Sequence, residues 1–171
     1  MSHPNSRPDL RNPVHLLAFG FGAGCAPKAP GTFGTVVGVI LYLPLSLLPL
    51  DLYLGLLLII SLIGIPLCGR TARDLGVHDH SGIVWDEIAG YLLTLGVLAL
   101  ATGALPDIHS AQGWLWITLG FIAFRLYDIW KPRPICVADR QVPGGLGIMF
   151  DDLLAGLIAG ATLALLYPLI P

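Results

Sequence analysis

Five apolar runs, at about 34–50, 52–68, 88–105, 114–127 and 153–170, dominate the chain and leave only polar connections between them. Each is roughly 14–18 residues long, or about 21–27 Å of helix against a hydrocarbon core of about 30 Å. Such runs bury their backbone polar groups internally only as helices, and no strand alternation competes with that reading. Charged residues make up 12% of the chain, against about 25% in an ordinary soluble domain. The implied fold is all-α: an integral membrane helical bundle of about four to five short spans, with a polar active-site face on one side. The spans lengthen where they run into flanking polar segments, or the bilayer thins around them.

The same composition excludes a disordered chain, a coiled coil and, with a net charge of only −2, a nucleic-acid binder. Residues 1–13 are polar, contain Pro4, Pro8 and Pro13, and lack the pattern of a cleaved signal peptide. They read as a retained, flexible tail, and 14–171 as a single membrane-embedded domain. The Gly-rich stretch from Val14 to Ala26 is too short to span and reads as re-entrant or interfacial. Cys25, Cys68 and Cys136 form an odd set without a C-x-x-C pair, which fits thiols on a reducing face rather than a disulfide or zinc framework.

Charge gives the orientation. Arg7, Arg11 and Lys28 precede the first run, Arg70 and Arg73 separate the second and third, and Arg125, Lys131, Arg133 and Arg140 close the fourth or follow it. All 9 basic residues therefore fall on one side of a five-span chain, the cytoplasmic side by the positive-inside rule. Of the 11 acids only Asp51 and Asp107 lie opposite, a clustering that this rule does not require. A face rich in both signs reads either as a site or as loops neutralised by ordinary ion pairs.

Three segments carry the chemistry. In Gly20–Thr35, Thr32 is a natural N-cap for the first span, and Lys28, Thr32 and Thr35 surround a helix start whose free N–H groups bind anions. Its glycines equally suit close packing in a membrane, and the P-loop spacing is absent. In Asp74–Gly90, Glu87 is the only glutamate of the chain and stands with Asp86 where an apolar run begins. A carboxylate at such a depth pairs or binds a cation, unless it merely caps its helix. His78, Asp79 and His80 read as a solvated loop, since residues two apart share no helix face. In Phe124–Gly156, Arg125 and Asp128 are three apart and can pair, and Lys131-Pro132 ends their helix. Gly144, Gly145 and Gly147 then shape a turn leading to Asp151 and Asp152 at the mouth of the last span, where a cap and an interfacial ion pair are the plainer alternative.

Carboxylates are hard oxygen ligands suited to Mg2+, and a cation so held activates water while Arg, Lys and helix N-termini bind phosphoryl oxygens. Phosphate-ester hydrolysis at the level of lipid headgroups follows. A Cys-x5-Arg loop, an Asp-x-Asp pair and a G-x-S-x-G elbow are all absent, which leaves water as the nucleophile.

At A-P-G-T-F-G-T (29–35), V-H-D-H-S-G-I-V-W-D-E-I-A-G (77–90), F-R-L-Y-D-I-W-K-P-R-P-I (124–135) and G-G-L-G-I-M-F-D-D-L-L-A-G (144–156), the chain resembles the phosphatidylglycerophosphatase A family. The likeness runs from about His15 to Gly156. It implies removal of the terminal phosphate of phosphatidylglycerophosphate, with Mg2+, at the cytoplasmic face of a bacterial inner membrane. Within the matching blocks, Glu87, Asp128, Asp151 and Asp152 are the candidate metal ligands, with Asp79 next. Asp152 or Asp79 is the candidate catalytic base, and Lys28, Thr32, Thr35, Arg125, Lys131 and Arg140 are the candidates for phosphate binding. Cys25 has no assigned role. The rival readings are a phosphatase for another lipid phosphate, such as a polyprenyl phosphate, and a small cation-transporter subunit. Transport requires acids along the spans, whereas here they gather at one face.

Overall fold

The computed structural model describes residues 7–77, 80–133, 135 and 142–170, and among these there is no strand. A short helix α1 (Pro13–Ala18) and a 3-10 segment (Gly20–Cys25) lead into α2 (Pro30–Leu45), α3 (Leu50–Leu75), α4 (Trp85–Thr102), α5 (Ala111–Trp130) and α6 (Gly144–Leu166), followed by a 3-10 turn (Tyr167–Leu169). Each apolar run is thus a helix. Three among the described residues are long and apolar enough to cross a membrane: α3, α4, and α6 with its terminal turn. α2 is apolar but only 16 residues long.

The helices overrun the apolar limits read from sequence. α3 reaches 26 residues because it continues through Arg70, Arg73 and Asp74 before Gly76 stops it at φ 70°, its N–H bonded to the Ala72 and Arg73 carbonyls. α6 begins at Gly144, so the glycines expected to form a turn are its first turn instead. Thr32 is not the cap of α2. Ala29 takes that position at φ 49°, and Pro30, whose missing N–H costs nothing in the first helical position, starts the helix. The Val14–Ala26 stretch does not cross the bundle; it folds against the loop before α4, where the Val84 N–H donates to the Ala18 carbonyl at 2.8 Å.

α4 is the hub. It packs against α2, α3, α5 and α6, and residues on every face of it are buried. Its tightest partner is α6, which runs parallel to it. A Cβ on Gly156 would stand 2.2 Å from the Gly90 carbonyl oxygen, and one on Gly90 would stand 2.6 Å from the Asp152 carbonyl oxygen. The two backbones meet with no side chain between them, the mode by which helices associate where lipid removes the hydrophobic drive. Tyrosines lock the other seams by donating to carbonyls of neighbouring elements: Tyr53 of α3 to Leu92 (2.7 Å), Tyr91 of α4 to Ile117 (3.1 Å), and Tyr42 of α2 to Pro106 (2.8 Å).

Gly156→Ala is therefore expected to lower stability by about 1–3 kcal/mol through overpacking. Gly55→Ala, where an added Cβ meets nothing within 4 Å, is expected to lose none and to gain up to about 1 kcal/mol of helix propensity. Thermal unfolding of the two purified variants in detergent, followed by circular dichroism, makes the comparison.

Candidate functional site

The helices alternate in direction, so α2, α4 and α6 begin, and α3 and α5 finish, at one end of the bundle. Contacts there include Gly31 against Glu87, Gly69 against Gly145, and Lys131 against Asp151. α2, α4 and α6 start without a side-chain cap, whereas α5 starts at the opposite end under Ser110, which accepts from the Gly113 N–H at 2.9 Å. First-turn N–H groups left without side-chain acceptors are suited to anions.

Asp86 and Glu87 occupy the first turn of α4, behind Val84 at the cap, which offers no side-chain acceptor. Asp152 lies two turns inside α6. It reaches the same place because Asp86 and Asp152 each stand four residues, about one turn, before the glycines that meet at the α4–α6 crossing. One carboxylate oxygen from each of Asp86, Glu87 and Asp152 lies within 4.8 Å of the other two. Asp86 and Asp152 are buried, and Asp86 Oδ1, Glu87 Oε2 and Asp152 Oδ2 have neither solvent contact nor a hydrogen-bond partner. A buried carboxylate oxygen left so is costly, and three in one place repel one another. Hard, anionic oxygen donors at this spacing fit a small divalent cation.

Around the three acids lie two ion pairs. Arg125 of α5 donates through Nη1 to Asp128 Oδ2 at 2.5 Å and lies 3.8 Å from Glu87 Oε1; the i,i+3 pairing expected from sequence is present. Lys131, which ends α5 at φ 43°, donates to Asp151 Oδ2 at 2.5 Å. Gly31 makes room for this arrangement: a Cβ there would stand 2.1 Å from Glu87 Oε1 and 3.0 Å from Arg125 Nη1.

Of the expected metal ligands, Glu87 and Asp152 belong to the group of three. Asp128 borders it through Arg125, and Asp151 turns to Lys131, as adjacent residues about 100° apart on a helix must diverge. Asp86, weighed from sequence beside Glu87 with a helix cap as the alternative but not named among the ligands, completes the group. The repeated Asp-to-Gly spacing, 86 to 90 and 152 to 156, was the signal for it. Of the phosphate-binding candidates, Arg125 and Lys131 are at the site. Thr32 lies in the first turn of α2, Thr35 is buried and donates its hydroxyl to the Gly31 carbonyl at 2.9 Å, and Lys28 is exposed on the approach to α2. Asp79 and Arg140 lie outside the described residues. His15, unremarked in the sequence, is buried at the same end. Its Nδ1 accepts the Asp9 N–H at 3.1 Å, which leaves the proton on Nε2, 3.3 Å from Asp74 Oδ2, and ties α1 to α3.

Removing Arg125 would strip two partly buried carboxylates of their counter-charge. Arg125→Met is expected to cost about 3–5 kcal/mol, and adding Asp128→Leu is expected to recover a measurable part of it. Denaturant unfolding of the single and double variants in micelles reads the difference.

Comparison with known proteins gives the family. The model of the family Phosphatidylglycerophosphatase A matches residues 16–167. A phosphatidylglycerophosphatase A of Escherichia coli is 44% identical over 92% of this chain and 86% of its own length, and one of Haemophilus influenzae is 42% identical over 92% and 91%. A Bacteroides thetaiotaomicron protein with the provisional name phosphatidylinositol-3-phosphatase is 33% identical over 82% and 85%. No solved structure matches the chain. With its four sequence blocks meeting at one end of the bundle and the family match covering most of its length, this chain belongs to the phosphatidylglycerophosphatase A family.

Proposed function

We propose that this protein hydrolyses the terminal phosphate of phosphatidylglycerophosphate to give phosphatidylglycerol and inorganic phosphate, with Mg2+, at the cytoplasmic face of a bacterial inner membrane. The observation that carries the reading is the meeting of three carboxylates, each with a buried, unpartnered oxygen, at the end of the bundle where Arg125 and Lys131 also stand. The family membership supplies the substrate, and the apolar helices supply the membrane.

Asp86, Glu87 and Asp152 would hold the ion, with Asp128 and Asp151 beside them. When bound, Mg2+ supplies charge neutralisation at the phosphoryl group and lowers the pKa of a coordinated water. The chain's own cations divide by depth. Lys131, with 31% of its side chain exposed, meets an arriving phosphate first, and Arg125, at 14%, lies deeper. Uncapped N–H groups at the starts of α2 and α4 add donors that need no reorganisation. In the reaction a water oxygen adds to phosphorus, the bond from phosphorus to the glycerol oxygen breaks, and one water proton ends on that oxygen. Asp152 or Asp79 is the group proposed to carry the proton. The diacyl tails stay in lipid, so only the headgroup needs the polar end.

Asp152→Asn is expected to remain in the membrane and lose several orders of magnitude in turnover; wild-type turnover would remove Asp152 from the site. Phosphate release from phosphatidylglycerophosphate is expected to exceed that from phosphatidic acid, phosphatidylinositol 3-phosphate and a polyprenyl phosphate, and to stop with a chelator. Preference for phosphatidylinositol 3-phosphate would favour the second reading that the Bacteroides relative suggests. No release from any of them by folded protein would favour the transporter. A separate readout is stability: Mg2+ is expected to raise the unfolding temperature of the wild type, and to do so far less for Asp152→Asn, since only the folded state assembles the three acids.

A further inference from the structure

Below the charged end, α5 and α6 diverge to leave an apolar groove of about 390 Å³, bordered by Leu119, Ala123, Leu126 and Trp130 of α5 and by Leu163 and Leu166 of α6. We propose that this groove seats one acyl chain of the lipid whose phosphate the site cleaves, an inference that rests on the function proposed above.

Position argues for this occupant. The upper rim is Trp130, and the next residue is Lys131, whose ammonium reaches Asp151; the same two helices carry Arg125, Asp128 and Asp152. From Trp130 the groove descends along α5 to Leu119, about 16 Å of helix away from the headgroup end. A molecule with a phosphate at Lys131 and a chain pointing into the bilayer therefore meets the groove without a bend. The surface is suited to a hydrocarbon. Its polar groups, Tyr127 and Thr162, satisfy one another: the Thr162 hydroxyl donates to the Ile158 carbonyl at 2.9 Å, so the 3.0 Å contact between the hydroxyls is a donation from Tyr127 to Thr162. Leu126 and Trp130 are 61% and 78% exposed, a wall for a guest rather than part of the core. A second apolar hollow, between α2 and α5, is bordered by Trp114 and Thr118 near the start of α5, toward the opposite end. It lacks this continuity with the cations.

A bilayer lipid gains little hydrophobic energy on leaving other lipid, so the groove acts by orientation. The effect then belongs to the ratio of kcat/KM for a dioleoyl substrate to that for its water-soluble dihexanoyl counterpart. Ala123→Phe, which fills the groove, is expected to lower this ratio about tenfold in mixed micelles. Ile40→Phe, on the exposed face of α2, is expected to leave it unchanged. Should Ala123→Phe fail to fold, Leu126→Trp at an exposed wall position takes its place. An unchanged ratio in an active groove variant overturns the inference while leaving the phosphatase reading intact; a wild type that releases phosphate from neither substrate overturns both. In a second arm, phosphatidylglycerophosphate with a diazirine on one acyl chain is photolysed with wild-type protein. Labels concentrated in 119–130 and 162–166 support the groove, and labels spread evenly over the exposed faces of α2 and α3 reject it.

Discussion

The backbone contact between Gly90 and Gly156 is the constraint on which the site depends. It sets the distance between two parallel helices at their closest possible approach, and it does so one turn away from an acid on each. Asp86 and Asp152 face one another because the glycines below them do. A methyl group at the crossing would separate the helices and the carboxylates together, so packing and chemistry are the same degree of freedom here. Gly31 repeats the device from a third helix, admitting Glu87 and Arg125 where any other residue would place a side chain.

Electrostatics explains why the second ring of residues is as ordered as the first. Five acids at one bundle end would repel strongly in a medium that screens poorly. Arg125 sits between Asp128 and Glu87, and Lys131 against Asp151, so each pair removes a carboxylate from the competition. The buried carboxylate oxygens that remain unpartnered among the described residues belong to Asp86, Glu87 and Asp152. Asp128 and Asp151 answer fixed side-chain cations, Asp86 and Asp152 face the space a mobile one would fill, and Glu87, with one oxygen toward Arg125, belongs to both.

Much of this was legible in the sequence. The five helices, the single charged end, the Arg125–Asp128 pairing and the stop at Lys131 follow from hydropathy, loop charge and helical spacing. The membership of the site was less so, for a reason of phase. Whether Asp151 or Asp152 points inward depends on where α6 starts, and Gly144–Gly147 read as a turn when they are in fact helical. Once α6 begins at Gly144, Asp152 shares a face with Gly156 and Asp151 is rotated toward α5. For Asp86 a cap and a cation site were both open in the sequence, and the helix start at Trp85 places it inside the first turn rather than at the cap. Thr35 was read as a donor to phosphate, but its hydroxyl is already given to the Gly31 carbonyl, as is common for threonine inside a helix.

The alternation of helix direction has an electrical consequence. Three of the five long helices described, α2, α4 and α6, start at the charged end, and two, α3 and α5, start opposite. Peptide dipoles cancel in antiparallel pairs, so an odd number leaves about one helix's worth uncancelled, roughly half an elementary charge at each end. In a bundle standing along the membrane normal, that dipole would couple to the transmembrane potential by about 1 kcal/mol per 100 mV. The bundle is therefore a polarised object, and an interior-negative potential favours the orientation in which the end where α2, α4 and α6 start faces inward.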